Sequence, residues 1–409
     1  SLSTQTINLS SNSIVELKGN EFSGPVISES LKNLDLSHSM LRFINRDTFS
    51  MLFNLVSLKL NDNLIKHLAP NIFWSLIRLL YLELHNNIHM NLSVTMLENL
   101  DRLLLLSVNK NQLDVNETLS KLKSIQLIRI HPNANDEIIR FKSDSNVNTI
   151  NLSGLNIDFI DPNEFRDLVN VQYLYLKRNN LKTISNMTFH HLISLSWLDL
   201  SESNVETIES NAFCCLESLN SLLLIKNKIK IIRNMTFHAL TALKKLDLSD
   251  SSVEIIEADA FYGLANLLHL YLNKNRLSRI DDFTLQHFSS LVFINLSYSR
   301  LEQVSANTFF GMKSLKKLYL KNNKIRMLRN KSFEHLPALN DLHLTNSSVE
   351  VVEANAFTGM WLLSLLMLND NNVRELDWDS IELAFNFRYM NISSANISSI
   401  RPNFFNRYK

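Results

Sequence analysis

The sequence predicts an α/β solenoid in which short parallel strands stack coil upon coil. From Val171 to Phe387 an apolar residue opens a new unit every 24 residues. Each unit reads LxxLxLxxNxLxxIxxxxFxxLxx, and the same frame recurs upstream with looser spacing, so about 17 units cover the chain. Self-similarity at such a period is the signature of repeats that stack into one core. The units open at Thr4, Leu31, Leu55, Leu79, Leu103, Ile125, Val147, Val171, Leu195, Leu219, Leu243, Leu267, Leu291, Leu315, Leu339, Leu363 and Phe387.

Within each unit the LxL segment alternates apolar and polar residues, which is the period of a strand with leucine pointing inward. One strand per coil predicts a long parallel sheet on the concave face of a curved horseshoe, with irregular or short helical segments on the convex face. We expect a single solenoid over residues 1–409. It would have N-terminal repeats at 1–102, irregular shortened repeats at 103–146 and regular repeats at 147–409.

Two positions of the unit are predicted to be interior scaffold. An Asn at the ninth position can satisfy backbone groups of neighbouring coils that would otherwise lack partners. A Phe later in the unit should stack on its counterparts as a spine. The Asn positions are Asn12, Asn63, Asn87, Asn111, Asn179, Asn227, Asn275, Asn323 and Asn371. The Phe positions are Phe22, Phe49, Phe73, Phe165, Phe189, Phe213, Phe237, Phe261, Phe309, Phe333, Phe357 and Phe405.

A period of 48 residues overlies the shorter one. Alternate units replace the Asn by Ser or Ala, and several of them carry a Val-Glu pair nearby. We interpret the alternation as copying of a two-coil block, in which neighbouring Asn residues compensate for the shorter side chain. A functional alternation is the other reading. The replaced positions are Ser203, Ser251, Ser299, Ser347 and Ala395.

Two segments break the frame. The first unit is three residues longer between Ser23 and Ser30, where Gly24-Pro25 predicts a turn. Residues 103–146 hold two units of 22 residues that lose the Phe and are interrupted by the polar segment 131–136. This second segment predicts either a tolerated irregularity or a bend that contacts a partner.

The repeat resembles the extracellular "typical" class of leucine-rich repeats, whose 24-residue unit carries a Phe. Toll-type receptor ectodomains and invertebrate secreted or adhesion proteins have such repeats, whereas intracellular leucine-rich repeats are longer and Cys-rich. The resemblance implies an α/β leucine-rich repeat solenoid and an extracellular or cell-surface location. Members of this class usually cap both ends with Cys-rich segments. Since none is present here, we expect a fragment of a longer ectodomain, or ends that partners or unrelated segments cover.

Composition excludes several classes of protein. The chain has 6 Gly and 6 Pro in 409 residues, which excludes collagen and Gly/Pro-rich disorder. With 41 basic and 40 acidic side chains the formal charge is +1, which supplies no overall field for nucleic acid, so no nucleic-acid partner is expected. No run approaches 18 consecutive apolar residues, so no membrane span is expected in this chain.

Chemistry-bearing motifs are absent from the sequence. It contains no phosphate-binding loop, nucleophile elbow, HExxH or CxxC, and the 12 His are scattered. A disulfide between the adjacent Cys214 and Cys215 would be strained, so we expect two reduced thiols, one turned inward. We therefore expect no enzyme, no cofactor and no metal site.

The outward positions of the strands have no duty in the core, so a ligand site is expected there. In the regular half these positions combine aromatic and charged side chains, the types enriched at binding hot spots. Scattered aromatic residues on a wide sheet are the alternative reading. The candidate residues on the concave face are Tyr173, Tyr175, Lys177, Arg178, Trp197, Asp199, Glu202, Asp247, Asp250, Tyr271, Phe293, Tyr298 and Tyr319.

Eleven N-glycosylation sequons favour a secreted glycoprotein, although their number is only slightly above chance. Asn186, Asn234 and Asn330 share one position just before the Phe, on the predicted back of the solenoid. Four others lie on strands and would divide the inner surface if they carried sugar. The sequons are Asn8, Asn91, Asn116, Asn151, Asn186, Asn234, Asn295, Asn330, Asn346, Asn391 and Asn396.

Two functions remain open on the sequence. The first is a non-enzymatic extracellular recognition module of an innate-immune or Toll-like kind, which binds a protein ligand or co-receptor, or a microbial or glycan ligand. The second is a cell-adhesion or structural module that pairs as a homo- or heterodimer. Self-association at micromolar concentration would favour the second function, and a monomer that captures a different partner would favour the first.

Overall fold

The computed structural model describes most of the chain as two compact units, residues 1–144 and 145–409, called unit 1 and unit 2. The single solenoid over residues 1–409 stays a prediction. The described residues are 4–87, 90–109, 112, 118, 127–131, 138–141, 148–154, 157–166, 168–382 and 388–402.

Unit 1 is built on a main sheet of seven strands, in the order β1-β3-β5-β6-β7-β8-β9. The first six strands are parallel, and β9 is antiparallel to β8. This antiparallel pair falls within 103–146, the segment in which the sequence loses its frame. The strands of unit 1 are β1 (Thr6–Asn8), β2 (Glu16–Leu17), β3 (Asn33–Asp35), β4 (Phe43–Ile44), β5 (Ser57–Lys59), β6 (Tyr81–Glu83), β7 (Leu105–Asn109), β8 (Leu127–His131) and β9 (Ile138–Phe141).

Unit 2 is built on a main sheet of eleven parallel strands, in the order β10-β11-β13-β15-β17-β19-β20-β21-β23-β25-β27. Its strands are β10 (Thr149–Asn151), β11 (Tyr173–Tyr175), β12 (Thr183–Ile184), β13 (Trp197–Asp199), β14 (Thr207–Ile208), β15 (Ser221–Leu223), β16 (Ile231–Ile232), β17 (Lys245–Asp247), β18 (Ile255–Ile256), β19 (His269–Tyr271), β20 (Phe293–Asn295), β21 (Lys317–Tyr319), β22 (Met327–Leu328), β23 (Asp341–His343), β24 (Val351–Val352), β25 (Leu365–Met367), β26 (Glu375–Leu376) and β27 (Tyr389–Asn391).

Every predicted repeat contributes one parallel strand to a main sheet, so the predicted solenoid of stacked parallel strands is confirmed. The two-residue strands form small parallel sheets of their own, β2-β4, β12-β14, β16-β18 and β22-β24-β26. The remaining described segments are mostly turns, with short helices α1 (Pro25–Ser30) and α2 (Trp378–Glu382) and a 3-10 helix at Val94–Met96. No helix in the described part of the chain is long and apolar enough to cross a membrane.

Helix α1 occupies the place where the sequence predicts a turn. It begins at Pro25, directly after Gly24. Proline lacks an N–H and has a fixed φ, and both properties suit the first position of a helix. The lengthened segment of the first unit therefore forms a short helix of six residues instead of a loop.

The predicted phenylalanine spine forms over most of its described positions, at Phe49 and Phe73, from Phe165 to Phe261, and from Phe309 to Phe357. In unit 2, Phe189 and Phe213 stack with ring centroids 6.2 Å apart and an interplanar angle of 6°, and neighbouring pairs repeat this arrangement. The sequence has Leu285 where the next Phe would stand, and there Phe288 packs on Phe261 with centroids 4.9 Å apart. Phe405 lies outside the described residues.

The asparagine ladder also forms as predicted. The Asn227 side-chain amide donates to the carbonyls of Leu200 and Leu224 at 3.0 and 2.8 Å. Its Oδ1 accepts from the backbone N–H groups of Ser203 and Val205 at 3.1 and 3.0 Å. One buried side chain thus satisfies four backbone groups on two coils.

Asn12 and Asn111 depart from the ladder. Asn12 is exposed, and its amide donates within its own coil to the carbonyls of Leu9 and Ser10. Asn111 lies outside the described residues, and the neighbouring Gln112 is buried. The longer Gln112 amide donates to the carbonyl of Asn87 at 3.0 Å.

Serine completes the ladder in three of the alternate coils, at Ser203, Ser251 and Ser347, whereas the buried Ser299 hydroxyl has no partner among the described residues. Ser203 Oγ donates to the carbonyl of Leu176 at 2.7 Å and accepts the N–H of Asn179 at 3.2 Å. Asn227 on the next coil accepts the Ser203 N–H. The Asn neighbours therefore compensate for the shorter side chain at these three coils, which agrees with the copying of a two-coil block.

Candidate ligand-binding face

The main sheet of unit 2 places every 24th residue side by side. The middle residue of each strand is buried except in β27, where it is partly buried, and the first and third residues point out of the sheet. Two rows of outward side chains therefore cross the strands at about 4.8 Å per strand, and we call this surface the sheet face. The first row is Tyr173, Trp197, Ser221, Lys245, His269, Phe293, Lys317, Asp341, Leu365 and Tyr389, and the second is Tyr175, Asp199, Leu223, Asp247, Tyr271, Asn295, Tyr319, His343, Met367 and Asn391.

A first group of predicted site residues lies on β11 and β13. Tyr173 is paired in register with Trp197, and Tyr175 with Asp199. Tyr173 is exposed, whereas Tyr175 and Trp197 are half-buried. The Trp197 indole N–H is shielded from solvent and has no acceptor among the described residues. This group therefore offers apolar ring surface to a ligand, while the indole N–H is not accessible.

An ion-pair cluster borders the first group. Glu202 Oε1 lies 3.2 Å from Lys177 Nζ, and Glu202 Oε2 lies 3.1 Å from Arg178 Nε. Hydrogen bonds from Lys177 and Arg178 hold the pKa of Glu202 below its usual value. One carboxylate shared by two cations leaves the cluster with a net charge of +1, and both cations remain partly accessible to solvent.

Strand β15 separates the predicted residues into two groups. It presents Ser221 and Leu223 to the sheet face, and Leu223 is buried against its neighbours. Neither side chain extends the aromatic surface from Trp197 towards Tyr271. The sequence-predicted residues therefore form two separate patches on the face.

The second group is a continuous chain of rings that we call the aromatic patch, Tyr271, Phe293, Tyr319 and His343. The ring centroids of Tyr271 and Phe293 are 5.2 Å apart, and those of Phe293 and Tyr319 are also 5.2 Å apart. Tyr319 and His343 approach to 4.2 Å. The rings interlock across four adjacent strands, β19, β20, β21 and β23. Tilted and edge-to-face contacts of this kind stabilise aromatic clusters.

Lysines surround the aromatic patch. Lys245 Nζ lies 5.3 Å from the centroid of the Tyr271 ring, and Lys321 Nζ lies 5.9 Å from that of Tyr298. Both distances fall within the range of cation–π attraction. Lys317 Nζ is 3.0 Å from Asp341 Oδ2, and this contact raises the pKa of Lys317.

The remaining predicted residues differ in their access to solvent. Asp247 is buried, and its Oδ1 accepts from the N–H and Oγ of Ser249 at 3.1 and 2.6 Å. Burial and the nearby Asp247 carboxylate raise the pKa of Tyr271. Asp250 and Tyr298 are exposed on the turn that follows their strands. Asp247 thus supports a turn, whereas the other two are available to a ligand.

His343 and Asp341 were missed by the sequence interpretation. Both lie one period beyond residues that it selected, since His343 pairs in register with Tyr319 and Asp341 with Lys317. Extending the 24-residue count by one strand would have found them. Burial lowers the pKa of His343, partly offset by Asp341. The imidazole is therefore mainly neutral at pH 7 and acts as part of the ring surface.

The four strand sequons have a structural explanation. In each, the Asn side-chain oxygen accepts the N–H of the Ser two residues later, as in Asn295 and Ser297 at 3.0 Å. Asp199 and Asp247 do the same with Ser201 and Ser249. An Asn or Asp at this position stabilises the turn by accepting that N–H, so the Asn of a strand sequon has a local structural role. The turn does not require it, since Tyr175, Leu223 and His343 occupy the same position in other coils. The other Asn residues of this type are Asn8, Asn151 and Asn391.

The other described sequons are all exposed. Asn186 and Asn234 accept backbone N–H groups of the next coil, while the hydroxyls of Thr188 and Thr236 bond back to the chain. Glycosylation of the eleven sequons remains a prediction, and Asn116 lies outside the described residues. The exposed members are Asn91, Asn186, Asn234, Asn330, Asn346 and Asn396.

Cys214 and Cys215 are both thiols. Burial and the neighbouring thiol raise the pKa of Cys214 to about 11, which disfavours the reactive thiolate. Cys215 is exposed with φ of 66°, at a position where Gly263, Gly311 and Gly359 follow at intervals of 48 residues. Cys214 is therefore a weak nucleophile, and Cys215 occupies a turn that other coils make with glycine.

One constellation in unit 1 has the residue types of a hydrolase. Ser107 Oγ lies 2.8 Å from His85 Nδ1, and His85 Nε2 lies 3.9 Å from Asp62 Oδ2. Ser107 is fully buried in the sheet, so a substrate could not reach its hydroxyl. No cluster of three potential metal ligands occurs among the described residues. The Ser107–His85 contact is therefore a buried hydrogen bond within the sheet, and the separation of His85 from Asp62 is too long for a second one.

Comparisons with known proteins identify the repeats. A family model described as BspA type leucine rich repeat region matches residues 158–292 in 6 copies. A second model, described as leucine rich repeat, matches residues 29–88 and three overlapping segments at 269–325, 289–348 and 313–373. No curated protein matches the sequence.

Two solved structures show a similar fold. A chain of the TLR13–ssRNA13 complex is 18% identical, with a TM-score of 0.52 and coverage of 98% of this chain and 83% of that chain. A leucine-rich repeat protein of Leptospira interrogans is 23% identical, with a TM-score of 0.52 and coverage of 98% and 92%. The repeat models and the coil-by-coil register together show that the chain belongs to the leucine-rich repeat family.

Proposed function

We propose that this chain is a non-enzymatic extracellular recognition module of an innate-immune or Toll-like kind, which binds a protein ligand through the sheet face of unit 2. The aromatic patch carries the proposal. Its four rings fill no part of the core, because the Leu side chains and the Phe spine already do so. Aromatic side chains held on a rigid scaffold supply binding area with little loss of conformational entropy.

The architecture also suits recognition. The rings project from strands that are fixed on both sides by neighbouring coils, so the patch needs little ordering when a ligand docks. Protein interfaces concentrate their binding energy in a few aromatic anchors surrounded by polar groups. The aromatic patch with its surrounding lysines has this arrangement, whereas the first group offers fewer contiguous rings.

Site-specific photo-crosslinking tests the proposal. A benzophenone amino acid would replace Phe293 in the patch, Trp197 in the first group, or Phe310 as a matched control on a connecting segment. Each variant would be exposed to protein from the native source, irradiated and analysed by mass spectrometry. We expect one protein to be crosslinked from position 293 and not from position 310.

Other outcomes would contradict parts of the proposal. Crosslinking from position 197 alone would move the site to the first group. Equal capture from 293 and 310 would indicate non-specific adhesion. Crosslinks from 293 to a second copy of this chain, with dimers in sedimentation at micromolar concentration, would replace recognition by the adhesion function.

A further inference from the structure

We infer that the ligand segment seated on the aromatic patch is an acidic polypeptide that also carries apolar side chains. The inference rests on the proposed function and adds the chemistry of its partner. It follows from two observations about the charged side chains near the patch. Some are accessible to a ligand, and others are already bound to neighbouring groups of the chain.

Most of the accessible charges near the aromatic patch are cationic. Lys274 and Lys321 are exposed, and neither forms an ion pair with any described residue. Lys245 is half-buried beside the Tyr271 ring and is likewise without a carboxylate partner in the described part of the chain. These three ammonium groups lie at the borders of the patch on neighbouring strands and the turns that follow them.

The carboxylates near the patch are largely engaged. Asp247 is 7% exposed and serves the turn at Ser249. Asp341 is paired with Lys317, and its side chain is 14% exposed. Asp250 is exposed on the turn after β17, at the position that Lys274 occupies in the next coil. The charge that a ligand meets at the rings is therefore positive, although the chain as a whole carries only +1.

The geometry of the rings favours a polypeptide over a single-stranded nucleic acid. Nucleobases bind by stacking on open ring faces, with a basic groove that follows the phosphates. Here Phe293 meets Tyr271 at 51° and Tyr319 at 75°, so the rings cover parts of each other's faces. Interlocked rings form an uneven apolar surface, which suits Leu, Ile or Phe side chains, while bordering lysines pair with Asp or Glu.

Peptide binding to the full chain tests the inference. The probes are a fluorescent peptide that alternates Glu with Leu, a Lys-for-Glu counterpart, and oligouridylate RNA of similar length, all followed by fluorescence anisotropy. We expect the acidic peptide to bind most tightly. The double variant Lys274→Glu/Lys321→Glu should weaken it about tenfold, and raising salt from about 0.05 to 0.5 M should weaken it as well.

A matched charge reversal controls for the overall field. The double variant Lys226→Glu/Lys228→Glu changes the net charge by the same amount. Its two positions are exposed and lie at least two coils away from Lys274 and Lys321. It should change the affinity less than about twofold. Equal weakening by both double variants, tighter binding of the Lys peptide, or tighter binding of RNA would each overturn the inference. If position 293 still crosslinks a partner that ignores Lys274→Glu/Lys321→Glu, the proposed function survives and only the acidic chemistry fails.

Discussion

The interior rows and the sheet-face rows of unit 2 share one 24-residue period but use it differently. Inside, the same residue types recur, such as Phe213, Phe237 and Phe261, because each must fit an identical neighbour 24 residues away. On the face, Lys245, His269 and Phe293 follow one another in a single row. The difference shows which positions the stack constrains and which remain available for binding. Four substitutions sharpen this contrast.

Phe261→Ala should give the largest effect. Phe261 is fully buried and packs between Phe237 and Phe288, so its removal leaves a cavity in the spine. We expect the free energy of unfolding to fall by about 3–5 kcal/mol, measured by urea denaturation. Phe310, which is 39% exposed, is the matched control, and Phe310→Ala should cost about 1 kcal/mol or less. Equal losses would remove the distinction between spine and surface rings.

Asn227→Ala should rank second. The substitution leaves the carbonyls of Leu200 and Leu224 and the N–H groups of Ser203 and Val205 short of partners in a buried site. We expect a loss of about 2–4 kcal/mol in the same denaturation measurement. The exposed Asn266, whose amide donates to a single carbonyl, should tolerate Ala with little change. A small loss at Asn227 would mean that water replaces the ladder.

Gly263→Ala should have an intermediate effect. Gly263 has φ of 91°, and an added Cβ would lie 2.4 Å from the carbonyl oxygen of His238. The backbone must shift to relieve that overlap, at a cost of about 1–3 kcal/mol. Gly24, with φ of -67° and open space around it, provides the control, and Ala there should cost less than about 1 kcal/mol. Thermal melting of both variants tests the prediction, and a larger loss for Gly24→Ala than for Gly263→Ala would contradict it.

The sequence predicted the scaffold better than the site because scaffold positions obey the period. Phe189 and Asn179 could be assigned from spacing alone, since each needs only to match its neighbour. Phe288 could not, because its ring enters the spine from three residues past the expected position.

The side-chain contacts on the sheet face cannot be predicted from the spacing of residues in the sequence. Spacing places Tyr271, Phe293 and Tyr319 on adjacent strands, but the contacts between their rings depend on side-chain rotamers. Asp247 is unavailable to a ligand because it accepts a hydrogen bond in a turn, and this too depends on local backbone geometry. The candidate ligand residues therefore stay predictions that only binding measurements can test.

Glu202→Gln should change the stability least of the four substitutions, because Glu202 borders the sheet face and does not lie in the interior. Lys177 and Arg178 hold the pKa of Glu202 below its usual value. A carboxyl with a lowered folded-state pKa stabilises the fold above its unfolded-state pKa, and this contribution is lost as the pH falls through the folded-state pKa. The melting temperature of the variant should therefore lie slightly below that of the parent at pH 7, and the two should converge under acidic conditions.

High salt should also reduce the difference at pH 7, because exposed ion pairs are screened. The exposed Glu217, which has no ion-pair partner among the described residues, supplies the control, and Glu217→Gln should show neither dependence. A Glu202→Gln difference that persisted in acid would have to come from packing instead of charge. In that case Glu202 would stabilise the fold as the interior residues do. The ion-pair cluster would then be part of the scaffold and not of a ligand site.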